Sequence, residues 1–170
     1  AESGKERART TRTFVVREVL RLLERMEHGE LELNVPLMRK AGELGLLAID
    51  VPEEYGGLDL LKVISTVVAE ELSGSGGFSV TYGAHTSIGT LPLLYFGTEQ
   101  QKRDWLLPLI DGTMESGFSM TEPHNPGSDP RSLTTAAVVD GDHFVINGHK
   151  WFTSNGIDAD FFIVMCRVQD

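Results

Sequence analysis

Gly117-Phe118-Ser119-Met120-Thr121 is the stretch on which the reading of the fold turns. Before it, up to Asp111-Gly112, apolar residues recur at helical spacing. After it they alternate or run in short blocks, the mark of strands. The change predicts an α+β chain with a boundary near residue 115. Residues 1–115 are expected to form an N-terminal α-helical bundle domain. Residues 116–170 are expected to start a partial antiparallel β-barrel or sandwich domain.

Working back from the boundary, Trp105, Leu106 and Leu109 fall on one helix, closed by Asp111-Gly112. Thr98-Glu99-Gln100-Gln101 opens that helix as a capping box, in which a Thr hydroxyl and a Gln amide satisfy each other's backbone donors. A helix rich in small residues is predicted from about Val80 to Tyr95. Leu60, Leu61, Ile64, Val67, Val68 and Leu72 predict another, broken by Ser73-Gly74-Ser75-Gly76-Gly77. Asn34 reads as an N-cap with Pro36 in the first turn and Gly45 as the stop. Val15, Val19, Leu22, Leu23 and Met26 make one face of the first amphipathic helix.

Working forward, residues 133–139 and 144–147 read as two strands joined by Asp140-Gly141-Asp142, a hairpin signal. Residues 161–168 read as one further strand, with Cys166 buried in it. A strand so near Asp170 leaves an open sheet edge, from which more polypeptide is expected to follow.

Composition removes several classes of function. The 170 residues carry 41% hydrophobic and 24% charged side chains, an ordinary globular balance. A formal net charge of -10 disfavours grip on a phosphate backbone, so no nucleic-acid partner is expected. With a single cysteine no intrachain disulfide can form. No apolar run reaches the ~18 residues of a membrane span. His28, His85, His124, His143 and His149 show no metal-ligand spacing, so no metal site is expected. Ser128-Asp129 lies outside any G-x-S-x-G nucleophile elbow, and the glycines at 74–77 do not follow a strand as a phosphate loop would.

Five stretches, in order, carry a family resemblance. They are Leu44-Gly45-Leu46-Leu47 running to Tyr55-Gly56-Gly57, then Gly83-Ala84-His85-Thr86-Ser87-Ile88-Gly89, then Phe96-Gly97-Thr98-Glu99-Gln100-Gln101-Lys102. Phe118-Ser119-Met120-Thr121-Glu122-Pro123 with Gly127-Ser128-Asp129 is the fourth, and Asn147-Gly148-His149-Lys150-Trp151-Phe152-Thr153-Ser154-Asn155-Gly156 the fifth. Together they resemble the acyl-CoA dehydrogenase family. The resemblance implies a helical domain, a middle β domain and a C-terminal four-helix domain, of which this chain holds the first and part of the second. It implies an FAD-dependent oxidoreductase of fatty acid β-oxidation that dehydrogenates acyl-CoA thioesters at Cα–Cβ. An electron-transfer flavoprotein would accept the electrons. The assembly would be a homodimer or homotetramer, in bacterial cytoplasm or mitochondrial matrix.

Residue by residue, the resemblance assigns Phe118, Met120, Thr121, Ser128, Phe152, Thr153 and Ser154 to cofactor binding. Thr121 and the backbone at Met120 would donate toward flavin N1 and C2=O, where charge accumulates on reduction. Ser154 takes the position that contacts N5, Phe152 that of an aromatic wall, and Thr153 contributes its backbone. Ser128 is placed near the pyrophosphate and the thioester ligand, so it also enters as a substrate contact. No catalytic base is assigned, because the family's base lies in the C-terminal domain; Glu122 reads as structural. Without the resemblance, Thr121 and Ser154 are ordinary strand hydroxyls.

Three departures stand out. The loop from Thr121 to Asp129 is one residue longer than the family's, and Trp151-Phe152 puts two aromatics after Lys150. The C-terminal helical domain is not in the sequence. An acyl-CoA oxidase or flavin monooxygenase-like relative of the same fold is the alternative chemistry. A non-catalytic helical interaction module is the alternative outside enzymes.

Overall fold

A computed structural model describes residues 4–125, 127 and 129–169. The first helix runs without a break as α1 (Gly4–Phe14), a π-helical turn (Val15–Val19) and α2 (Leu20–Glu27). Then come α3 (Asn34–Glu43), α4 (Lys62–Leu72), α5 (Gly77–Gly83), a second π-helical stretch (Ala84–Gly89), α6 (Leu91–Phe96) and α7 (Glu99–Ile110). Asn34 lies inside α3, whose cap position is Leu33. The capping box of α7 is formed as read: the Gln101 N–H donates to the Thr98 hydroxyl, and the Thr98 N–H donates to Gln101 Oε1. Such a cap stabilises a helix by about 1 kcal/mol.

Two apolar cores hold the helices. One is built on Phe14, Val19, Met38, Val68, Leu72 and Phe78, and the other on Val51, Leu93, Leu106, Leu109 and Ile110. Each large side chain buried this fully contributes roughly 1.5–3 kcal/mol through removal from water. Helices α3 and α7 meet through backbone. A Cβ on Gly42 would fall 2.2 Å from the Asp111 carbonyl oxygen, and Gly112 turns at φ +77 against Met38 and Arg39. That glycine-enabled contact aims the chain at its first strand. No helix among the described residues is long and apolar enough to cross a membrane.

The strands are β1 (Ser116–Ser119), β2 (Ala136–Asp140), β3 (His143–Asn147), β4 (Phe161–Val164) and β5 (Arg167–Gln169). They form two small sheets, β1-β4 and β3-β2-β5. The hairpin turns as expected: Asp140 pairs with His143, and Gly141 takes φ +64. Of the expected partial antiparallel barrel or sandwich, the β2–β3 hairpin is antiparallel as read, and the direction of the other pairings is corrected. No closed sheet occurs among the described residues, and both β1-β4 and β2-β5 are parallel. Residues 161–168, expected as one strand, divide between the two sheets. The segment breaks at Met165-Cys166, where the Met165 N–H donates to Ser119 O and the Arg167 N–H to Thr135 O. Its first half therefore extends one sheet and its second half the other. The connection from β1 to β4 is long enough for the crossover a parallel pair requires. Cys166 sits at the break, half-buried rather than buried within a strand.

Trp105 on α7 meets Phe161 on β4 edge-to-face at 5.1 Å, which joins the helical and β parts. His85 does the same from the π-helical stretch. Its Nε2 lies 2.9 Å from Leu109 O, and its Nδ1 accepts the Ser116 N–H at 3.2 Å. These partners fix one neutral tautomer, and burial pushes the imidazole pKa down.

Candidate functional site

The two stretches singled out in the sequence meet in space. Phe118 and Ser154 form an antiparallel bridge. The Trp151 N–H donates to Thr121 O at 2.9 Å, and Lys150 Nζ donates to Met120 O at 2.9 Å. Phe118, Met120, Thr121, Thr153 and Ser154 are all half-buried at this junction. Ser128 lies outside the described residues.

The hydroxyls of Ser119 and Thr153 are committed to each other, 3.1 Å apart. Two others are not: among the described residues neither the Thr121 hydroxyl nor the Ser154 hydroxyl has a hydrogen-bond partner. Gly127 leaves the first of these its space, since a Cβ there would fall 2.2 Å from Thr121 Oγ1. Phe152 stands beside them, 84% exposed. Its backbone is left-handed, at φ +54, a conformation that costs a residue of this kind roughly 1–3 kcal/mol and persists only where neighbours hold it. Trp151 packs edge-to-face on Phe152 at 5.7 Å, and His149 on Trp151 at 6.1 Å. The loop therefore presents a bare aromatic face and two uncommitted hydroxyls. A planar, polar-edged heterocycle fits such a set: the aromatic ring covers its face and the hydroxyls meet its edge.

Glu122 holds the junction from below. Its carboxylate accepts from the Thr134 N–H at 2.7 Å, the Thr134 hydroxyl at 2.6 Å, the Thr135 N–H at 2.8 Å and the Asn125 amide at 2.8 Å. Lys150 Nζ completes the set at 2.9 Å. The donors of Thr134 and Thr135 hold this carboxyl well below the usual carboxylate range. Fully ionised and fully engaged, it is placed to fix the loop rather than to take a substrate proton.

Sequence reasoning assigned no role to two further residues. Asn155 follows Ser154 at φ +61, and its amide donates to Thr81 O and Ser116 O, each at 3.1 Å. The Asn-Gly pair signals a turn, but its partners are remote in sequence. Glu115 is buried, and among the described residues neither carboxylate oxygen has a hydrogen-bond partner. Burial, with Asp158 and Asp160 nearby, pushes its pKa up to about 7. Nothing in the residue pattern around it signals that environment.

Family models of the acyl-CoA dehydrogenase N-terminal domain and middle domain match residues 2–113 and 117–170. The chain belongs to the acyl-CoA dehydrogenase family. It is 43% identical over 163 residues to a probable acyl-CoA dehydrogenase of Bacillus subtilis, covering 95% of this chain and 27% of that protein. It is 38% identical over 130 residues to the mitochondrial isovaleryl-CoA dehydrogenase of Bos taurus, covering 76% of this chain and 30% of that protein. Among solved structures, an acyl-CoA dehydrogenase from Bacillus anthracis complexed with FAD superposes with a TM-score of 0.92 at 44% identity, over 97% of this chain and 29% of that one. The chain thus spans less than a third of the length of each of these three proteins.

Proposed function

We propose that the whole protein is an FAD-dependent dehydrogenase of fatty acyl-CoA thioesters, with residues 1–115 as its helical domain and 116–170 as the start of its flavin-binding β domain. The observation that carries this reading is the bare Phe152 face beside the uncommitted hydroxyls of Thr121 and Ser154. FAD, when bound, supplies the acceptor for the β-hydride of the acyl group.

The chain's own residues do the holding. Phe152 covers one face of the ring system and keeps water from it. Thr121 and the backbone at Met120 donate toward the edge that gains negative charge, and such preorganised donors favour reduction. Ser154 donates toward the hydride-accepting edge, Thr153 lends backbone, and Phe118 carries Ser154 on its bridge. Ser128 remains a proposed contact to the pyrophosphate and thioester on resemblance alone. An electron-transfer flavoprotein as acceptor and a homodimer or homotetramer belong to the same proposal.

The test is the visible spectrum of the full-length protein, without oxygen, before and after a fatty acyl-CoA is added. A flavin band that bleaches supports the proposal. A band that persists keeps the cofactor and overturns the substrate, and a folded protein with no band overturns both.

A further inference from the structure

We infer that Asn155 is a positioning residue that locks the loop of residues 152–154 to the helical part and so sets the placement of the Ser154 hydroxyl. The inference rests on the flavin reading above and deepens it.

The side-chain amide of Asn155 spends its donors on two carbonyls from different elements, Thr81 on α5 and Ser116 on β1. Its own backbone carbonyl accepts the N–H groups of Asp158 at 3.1 Å and Ala159 at 2.8 Å. One residue thereby ties three places together. Thr81 lies just before the π-helical stretch Ala84–Gly89, where the helix widens and its hydrogen bonding changes register. A carbonyl there can serve a donor from outside the helix.

The backbone supports the assignment independently. At φ +61 Asn155 adopts a left-handed conformation that asparagine, aspartate and glycine tolerate and other side chains resist. Phe152, three residues earlier, is also left-handed, and no other non-glycine residue of the loop is. Two such turns around Thr153 and Ser154 need a fixed anchor, and the Asn155 amide supplies one. Ser119 and Thr153 contribute a single contact at 3.1 Å.

The experiment uses the full-length flavin-loaded protein and compares the parent with Asn155→Gly, Asn155→Asp, Ser154→Ala and the Asn155→Gly/Ser154→Ala double variant. Glycine keeps the left-handed backbone and removes the clamp. Aspartate keeps the shape and turns acceptors toward two carbonyls. The readouts are flavin affinity and the flavin midpoint potential. Loss of two hydrogen bonds predicts flavin affinity weakened roughly tenfold in Asn155→Gly. The potential should shift in the direction of Ser154→Ala, and the double variant should shift no further than Ser154→Ala alone. An unchanged potential in both Asn155 variants, or shifts that simply add in the double variant, overturns the inference while leaving the flavin reading intact. A folded parent without a flavin band overturns that reading and this inference with it.

Discussion

The helical and β parts of this chain solve the burial problem differently. Across residues 4–110 two apolar cores are closed, and Phe78, Met38, Leu72, Leu106 and Leu109 in them are nearly inaccessible, although Leu61 and Phe96 stay outside. In β2, β3 and β5, Val139, Phe144, Ile146 and Val168 are each at least half exposed. The β part is ordered instead by polar contacts: the Glu122 hub, the Lys150 bridge and the Asn155 clamp. The contrast teaches that a candidate site can be placed by hydrogen bonds where an apolar core is thin.

The largest expected effect lies in the helical core. Phe78→Ala should destabilise the fold by about 3–5 kcal/mol in chemical denaturation, since it deletes a ring that packs edge-to-face on Phe14. A loss below about 1 kcal/mol would mean that this core is not what holds the helices.

The next effect depends on pH. The folded pKa of Glu115, about 7, stands above that of an unfolded glutamate. Its contribution to stability is therefore present at acid pH, below the unfolded value, and is lost as pH rises through about 7. Glu115→Gln should flatten this decline, so that the melting temperature of the variant exceeds the parent's in mildly alkaline buffer and the advantage shrinks as the buffer is made acidic. Parallel melting curves across that range would show that the carboxyl has found a partner.

Thr98→Ala removes the α7 cap and should cost about 1 kcal/mol in the same denaturation measurement. The smallest effect tests the other side of the contrast. Phe144→Ala, on the exposed hairpin, should stay within about 0.5 kcal/mol. A loss as large as that of Phe78→Ala would mean that a partner surface covers the hairpin.

Much of the helical part, and the β2–β3 hairpin of the β part, was legible because the signals are local. The Thr98–Gln101 cap, the Gly45 stop at φ +68 and the turn between Asp140 and His143 all follow from residues within one turn of each other. The π-helical stretches were not legible, because a change of period over five or six residues leaves the apolar pattern almost unaltered. The parallel pairings were missed because they join strands far apart in sequence, with no local turn to signal them, and the break at Met165-Cys166 was missed because that run is uniformly apolar. At the site, the two motifs marked the stretches that meet in space, bridged at Phe118 and Ser154 and by the Trp151 N–H on Thr121 O. The Asn155 clamp was hidden, since its acceptors are backbone carbonyls that any residue could supply.

The pairing of β1 with β4 has a consequence for the order in which the molecule is made. The buried members of both helical cores are synthesised by Ile110, whereas the partner of β1 begins at Phe161. At about 5–20 residues per second, a ribosome takes several seconds to cover that interval. During it the buried side chains of both helical cores are all available to pack, while β1, held by His85 at Ser116, waits for the strand that pairs with it.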